Sequence, residues 1–386
     1  MASFDDILTN LRALARARQA RGDSRLVIQP STESQEQFAP PDDFTSDGNQ
    51  GLVLEPKADA PFEARPLAPR RGCARIEAFC DGTRSTYSVG FEDLFPLLYA
   101  RNAAVVRARD SVSGYHTLMA PLQRDQSTLL APLGLFSRPI RSAYEQLGLC
   151  PTRYADLCWT PAADDEIGLR PQDIQAMGSQ AWQGRGQRRA RRLMERSEQI
   201  VTLAGASLLQ DQAPDRTQWL YKDGSLFQFD KVYLQQPELL QNVVSGVKTH
   251  PISFFGVDGE RTLARLAVGE RSVAFLPRPR VSEDSHEKPV TLETTDRPII
   301  SWYLRVREPN TQSSNVLSGV IRLDIANTEG WQDWIDEVSW AVLDEFYGIS
   351  AMPDPRYDVM PYGIYDCEQF LKAQQLPGEL LLAQLG

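Results

Sequence analysis

Two strings constrain this chain more than any other feature: "IEAFCDGTRSTYSVGF" over 76–91 and "WLYKDGSLFQFD" over 219–230. Each sets a run of apolar and aromatic residues against an Asp-Gly pair, at Asp81-Gly82 and at Asp223-Gly224, followed by a hydroxyl residue, Thr83 or Ser225. The runs read as β-strands that stop at the dipeptide, and the first resumes as a second strand through Tyr87 to Phe91. A carboxylate at a strand end is held on a rigid scaffold while facing solvent, and the glycine lets the backbone turn away. Two such strands side by side would bring two carboxylates to one divalent cation. Phosphodiester cleavage uses that arrangement, because the metal activates water and neutralises charge on the attacking and leaving oxygens.

Asp-Gly is also a favoured turn pair, and Asp47-Gly48 and Asp258-Gly259 read as ordinary turns. Two other known strings fail. The dehalogenase-type phosphatases need Asp-x-Asp-Gly-Thr, but Phe79 stands in place of the first Asp; the actin-like Asp-x-Gly-Thr loop lacks its spacer here.

The metal, if one is bound, must be hard. His116, His250 and His286 are far apart, and none has a second ligand at helical spacing. The cysteines, Cys73, Cys80, Cys150, Cys158 and Cys367, are odd in number and never spaced C-x-x-C, so they read as free thiols. Carboxylates then select Mg²⁺ or Mn²⁺. No apolar run is long enough to span a membrane and the N-terminus is unlike a secretory leader, so a cytoplasmic protein is expected. The net charge of −10 excludes a globally positive surface and leaves room for a local basic groove.

Residues 3–19 carry apolar positions at helical spacing, and 22–70 are rich in Pro, Asp, Glu and Ser, which predicts an N-terminal amphipathic helix and a loose arm over 1–72. From Cys73 onward a meander, a helix over 171–209, further strands near 219–229, 271–276, 300–308 and 315–326, and helices over 331–347 and 365–375 predict an α/β or α+β fold over 73–386. The helix "GRGQRRARRLMERSEQIVTLAGASLL" places Arg185, Arg189, Arg192 and Arg196 on one stripe, a cationic ridge suited to a phosphate backbone or to a protein contact. Glu195 and Glu198 lie at the margins of its apolar face, and either is a candidate third acid.

These elements, in order, resemble the NurA nucleases that work with HerA-type hexameric DNA-translocating ATPases. "CDGTRST" is similar to the family's first Asp-Gly-Ser strand, the Arg-rich helix with its Glu follows, and "YKDGSLF" is similar to the second such strand. "LLQNVVSGVKTHP" is similar to a Gly-Val-x-Lys element, "GVIRLDIA" to a late Arg-Leu-Glu-like strand, and "MPYGIYDCEQF" to the terminal Tyr-Pro motif. The resemblance spans roughly 73–375. It implies an RNase H-like mixed sheet flanked by helices, a homodimer, Mn²⁺- or Mg²⁺-dependent cleavage of DNA ends in repair or phage defence, and docking on the ATPase. By position it makes Asp81 and Asp223 metal ligands, Glu195 or Glu198 the third acid, Lys248 a neighbour of the scissile phosphate and Tyr362 the late tyrosine. The family's following histidine is missing, with Asp366, Cys367 and Glu368 in its region. The rival expectation is a catalytically lapsed subunit that docks on and regulates the ATPase ring.

Overall fold

A computed structural model describes residues 50–58, 60–92, 95–110, 114–117, 122–136, 154–158, 177–248, 254–278, 298–309, 316–346 and 359–374. The elements, in chain order, are β1 (Gln50–Val53), β2 (Ala64–Pro66), β3 (Arg75–Glu92), β4 (Phe95–Asp110), β5 (Gly114–Thr117), β6 (Gln123–Ala131) and β7 (Tyr154–Asp156). Then come α1 (Ser179–Gln212), β8 (Gln218–Asp223), α2 (Lys231–Leu234), β9 (Val243–Val247), α3 (Gly256–Ala264), β10 (Glu270–Ser272) and β11 (Phe275–Arg278). The chain continues through β12 (Ile299–Arg305), β13 (Val320–Ala326), α4 (Gln332–Asp344) and α5 (Tyr362–Ala373). The strands form one mixed sheet, ordered β1-β11-β12-β13-β9-β8-β3-β4-β6-β7, with β2, β5 and β10 paired off this path. No described helix is long and apolar enough to cross a membrane.

The centre of the sheet has a simple logic. Strands β3, β4 and β6 form an antiparallel meander, α1 carries the chain across one face, and β8 and β9 return parallel to β3. Strand β12 is buried along its whole length, as its continuous apolar run requires when both faces are covered. On one face α4 and α5 bury Ile335, Val338, Val342, Ile364 and Leu371 against Phe79, Trp219, Tyr221 and Trp302. On the other, α1 packs Val201, Ala206 and Leu209 onto Ala78, Cys80, Leu220 and Val243.

Three sequence expectations change here. Strand β3 does not stop at Asp81-Gly82: it pairs with β4 without a break from Ala78 to Ser88, and the Tyr87–Phe91 segment is its continuation. The dipeptide marks the place where β3 loses its other neighbour, since pairing with β8 ends at Cys80–Lys222. Asp258-Gly259 lies inside α3, where Asp258 pairs with Arg261 at 2.9 Å. Part of the expected loose arm is sheet: β1 pairs with β11 and β2 with β10, and Leu52, Val53 and Ala60 are buried. Polar composition hid these short strands, which add to an existing edge and need little apolar surface of their own. The predicted helix over 3–19 and Asp47-Gly48 lie outside the described residues, as do His250, His286 and Cys150.

Candidate active site

Asp81 and Asp223 come together through strand register. Cys80 lies beside Lys222 in the parallel β3–β8 pair, so the next residues, Asp81 and Asp223, occupy neighbouring strands about 5 Å apart. They share a face because of an irregularity. Ile76 and Phe79 both enter the α4–α5 core, which strict alternation forbids, and the β3–β8 register shifts between Ile76 and Ala78. The shift turns Phe79, and with it Asp81, toward α5. On the regular strand β8, Trp219 and Tyr221 face the same core, so Asp223 follows them.

Asp81 is 7% exposed, and its Oδ1 accepts a hydrogen bond from the N–H of Gly82 at 2.8 Å. Among the described residues no cationic side chain contacts it. Burial, then the charge of Asp223, push its carboxyl well above the usual carboxylate range; Glu198 and Glu368 add to the effect and Lys248 offsets part of it. The neighbouring acids, in contrast, each have a lysine. Asp223 Oδ2 accepts from Lys248 Nζ at 2.8 Å, Glu198 Oε2 lies 3.0 Å from Lys222 Nζ, and Glu368 Oε1 lies 2.6 Å from Lys372 Nζ.

Glu198 reaches the site from α1, on the opposite face, by crossing over Gly82: its carboxylate fills the space that a Cβ at 82 would take. The Glu198–Lys222 pair is buried, at 5% and 1% exposure. Both groups titrate high, for different reasons. Burial raises the Glu198 carboxyl, and Lys222 does not fully counter that with Asp223 and Glu195 close by. Burial alone would lower the Lys222 ammonium, but Glu198, Cys80 and Asp223 outweigh it. Lys222 also donates to the backbone carbonyl of Asp223, the next residue of β8, at 2.6 Å.

Of the two glutamates left open by helical phase, the structure brings Glu198 to Asp81, while Glu195 pairs with Arg191 on the same helix at 2.9 Å. Lys248 meets Asp223. Tyr362 opens α5 about half-exposed, with its ring 6.1 Å from Tyr365, and farther along α5 Cys367 and Glu368 come close enough to Asp81 for their charges to interact. The arginine stripe also divides. Arg185 is buried and donates to the carbonyl of Leu157 at 2.7 Å, so it packs the sheet edge rather than an open ridge. Arg189 lies close enough to Arg192 and Arg196 for burial and their charges to lower its pKa. At 100° per residue these three occupy the flank of α1 opposite Glu198. The arginines on the Glu198 flank are Arg191 and, from β3, Arg84, which donates to the carbonyl of Gln187 at 3.0 Å.

Residues not singled out by motif are Lys222, Lys372 and a buried network behind the Asp223 turn. There Asp324 accepts from Ser225 at 2.8 Å, Ser301 at 2.7 Å and Arg322 at 2.9 Å, and Ser225 Oγ also caps the turn by accepting the Phe227 N–H at 3.2 Å. Lys222 had a visible signal, a lysine within the apolar run "WLYKD" whose alternation sets it opposite Asp223.

The donors at this site are carboxylate oxygens, the chemistry of a hard divalent ion. As the side chains stand, no three His, Cys, Asp or Glu groups among the described residues converge to hold one. The acids are near enough to repel one another, yet three of them point at lysines. No family model matches the chain, and no curated protein matches it in sequence.

Proposed function

We propose that this chain is a divalent-metal-dependent deoxyribonuclease with an RNase H-like core, similar to the NurA nucleases, that cleaves DNA delivered by a HerA-like hexameric translocase. The observation that carries the reading is Asp81: a carboxylate buried beside Asp223 with no cationic side chain against it among the described residues, a position that a bound cation would neutralise. The strand order supports it, because an antiparallel meander, a crossing helix and two parallel strands, with acids on the first and fourth core strands, is the arrangement of an RNase H-like core.

Asp81, Asp223 and Glu198 would hold the ion, Mn²⁺ or Mg²⁺. When bound, it supplies an activated water and neutralises charge on the phosphate. The chain's own residues do the rest. Gly82 admits Glu198 to the strand tip, the Lys222–Glu198 pair fixes β8 against α1, and Lys248 lies where an ammonium stabilises negative charge developing on a phosphate oxygen. Arg84 and Arg191, beside Glu195 on the same flank of α1, offer guanidinium groups for the backbone of the substrate. Delivery by a translocase is mechanical, which reconciles a net charge of −10 with a DNA substrate. The partnership with the ATPase, the homodimer and a role in repair or phage defence belong to the same proposal.

The test is cleavage of linear single- and double-stranded DNA with Mn²⁺, alone and with a HerA-like ATPase, beside Asp81→Ala and Asp223→Ala. Cleavage by the unaltered protein that both substitutions abolish is expected; cleavage that survives both overturns the site. A second reading, a lapsed subunit that regulates the ATPase ring, is favoured by the three lysine-held acids. It predicts no cleavage under any of these conditions.

A further inference from the structure

Helix α5 lies against β3 at the level of the acids. Gly363 packs on the Phe79 ring so closely that a Cβ there would overlap it, and Cys367 Sγ donates to the Phe79 carbonyl at 3.4 Å. Farther along, Arg107 of β4 meets Asp366 at 2.8 Å with its guanidinium 4.4 Å from the Phe370 ring, and Arg101 donates to the carbonyl of Gln374 at 2.7 Å. These contacts fix the helix along its length, so the residue after Cys367 has a set position near the part of β3 that carries Asp81, close enough for the two charges to interact.

That residue is Glu368. Its Oε1 is held by Lys372, but its Oε2 is enclosed by the protein without any hydrogen-bond partner. An enclosed carboxylate oxygen without a donor is costly unless something else meets it. Asp81 is more than nine-tenths buried, and among the described residues no cationic side chain contacts it. Four carboxylates, Asp81, Asp223, Glu198 and Glu368, thus face three ammonium groups; Lys248, Lys222 and Lys372 each hold one of the last three, so the deficit among the described residues is one positive charge at Asp81, beside the unmet Oε2 of Glu368.

We infer that Glu368 is a fourth acid of the site, a ligand toward the divalent ion that Asp81 and Asp223 hold. The inference rests on the metal-dependent reading and adds a residue that the motif comparison assigned no role. Glutamate here makes the site all-oxygen, which favours Mg²⁺ and Mn²⁺ over softer ions.

The experiment is calorimetric titration of MnCl₂, and of MgCl₂, into the full chain, for the unaltered protein, Glu368→Gln and Glu368→His, with metal-free thermal unfolding of each as a control. Glu368→Gln, nearly isosteric, is expected to weaken Mn²⁺ binding about tenfold or more without lowering the metal-free unfolding temperature, since it also removes a like charge beside Asp81. Glu368→His is expected to keep more of the affinity, because imidazole is itself a ligand, and it serves as the informative variant should the glutamine protein fail to fold. Binding by folded Glu368→Gln that equals the unaltered protein's, or Glu368→His binding with both the unaltered affinity and the unaltered preference between Mn²⁺ and Mg²⁺, when the unaltered protein binds, overturns the role of Glu368 and leaves the metal reading standing. No binding by the unaltered protein sinks both.

Discussion

The same dipeptide serves the two strand tips in different ways. At Asp223-Gly224 the strand ends and the glycine has φ +79°, a left-handed backbone that side chains other than glycine's disfavour. At Asp81-Gly82 the strand continues, the glycine keeps a strand conformation within β3, and what matters is its missing Cβ, whose place Glu198 takes. The surroundings differ too. Asp223 is partly exposed and paired with Lys248, whereas Asp81 is buried with no cationic partner among the described residues. One Asp-Gly makes a turn; the other makes room for an acid from another element.

The largest effect that separates the two tips is expected at the lysines. Lys222→Met leaves Glu198 as a buried, unpaired carboxylate and should cost about 3–5 kcal/mol of folding stability. Lys248→Met breaks a pair that solvent already screens and should cost at most about 1 kcal/mol. Urea unfolding of the two variants measures both, and equal losses would erase the distinction between the sites.

The glycines sharpen the comparison next. Gly82→Ala forces Glu198 away and should cost about 1–3 kcal/mol, with much of the loss recovered when Glu198 is also changed to Ala. Gly224→Ala meets backbone strain of roughly 1–2 kcal/mol, which Gly224→Asn should relieve in part, while changing Glu198 should have no such rescuing effect. Double-mutant cycles read the coupling directly.

A smaller effect follows from ionisation. The Asp81 carboxyl titrates higher in the folded chain than in the unfolded one, so its charge opposes folding. That penalty is absent below the unfolded pKa of about 3.9, grows as pH rises toward the folded value, and is constant above it. Metal-free Asp81→Asn should therefore exceed the unaltered protein in stability at neutral pH, and the gap should close in acid.

Much of this site was legible before any coordinates. Strand-like runs ending in Asp-Gly predicted that Asp81 and Asp223 would lie on neighbouring strands, and parallel pairing of β3 with β8 does set them side by side. Helical phase narrowed the third acid to Glu195 or Glu198, but only packing over Gly82 distinguishes them, because both lie near the same edge of α1. The register shift near Glu77 has no pattern of its own in the sequence, so nothing there said which face Asp81 would take. Arg185 looked like one of a solvated row, yet its position over β7 turns it into a buried donor. Glu368 was visible as a departure from a motif, and only the course of α5 past Phe79 shows what it stands next to.

The most direct trial of these claims is the anomalous diffraction of manganese in crystals grown with MnCl₂. A manganese peak shared by the carboxylates of Asp81 and Asp223 is the expected result. Manganese bound only elsewhere on the chain, with Asp223 still on Lys248 and Asp81 still without a cation, would contradict the account.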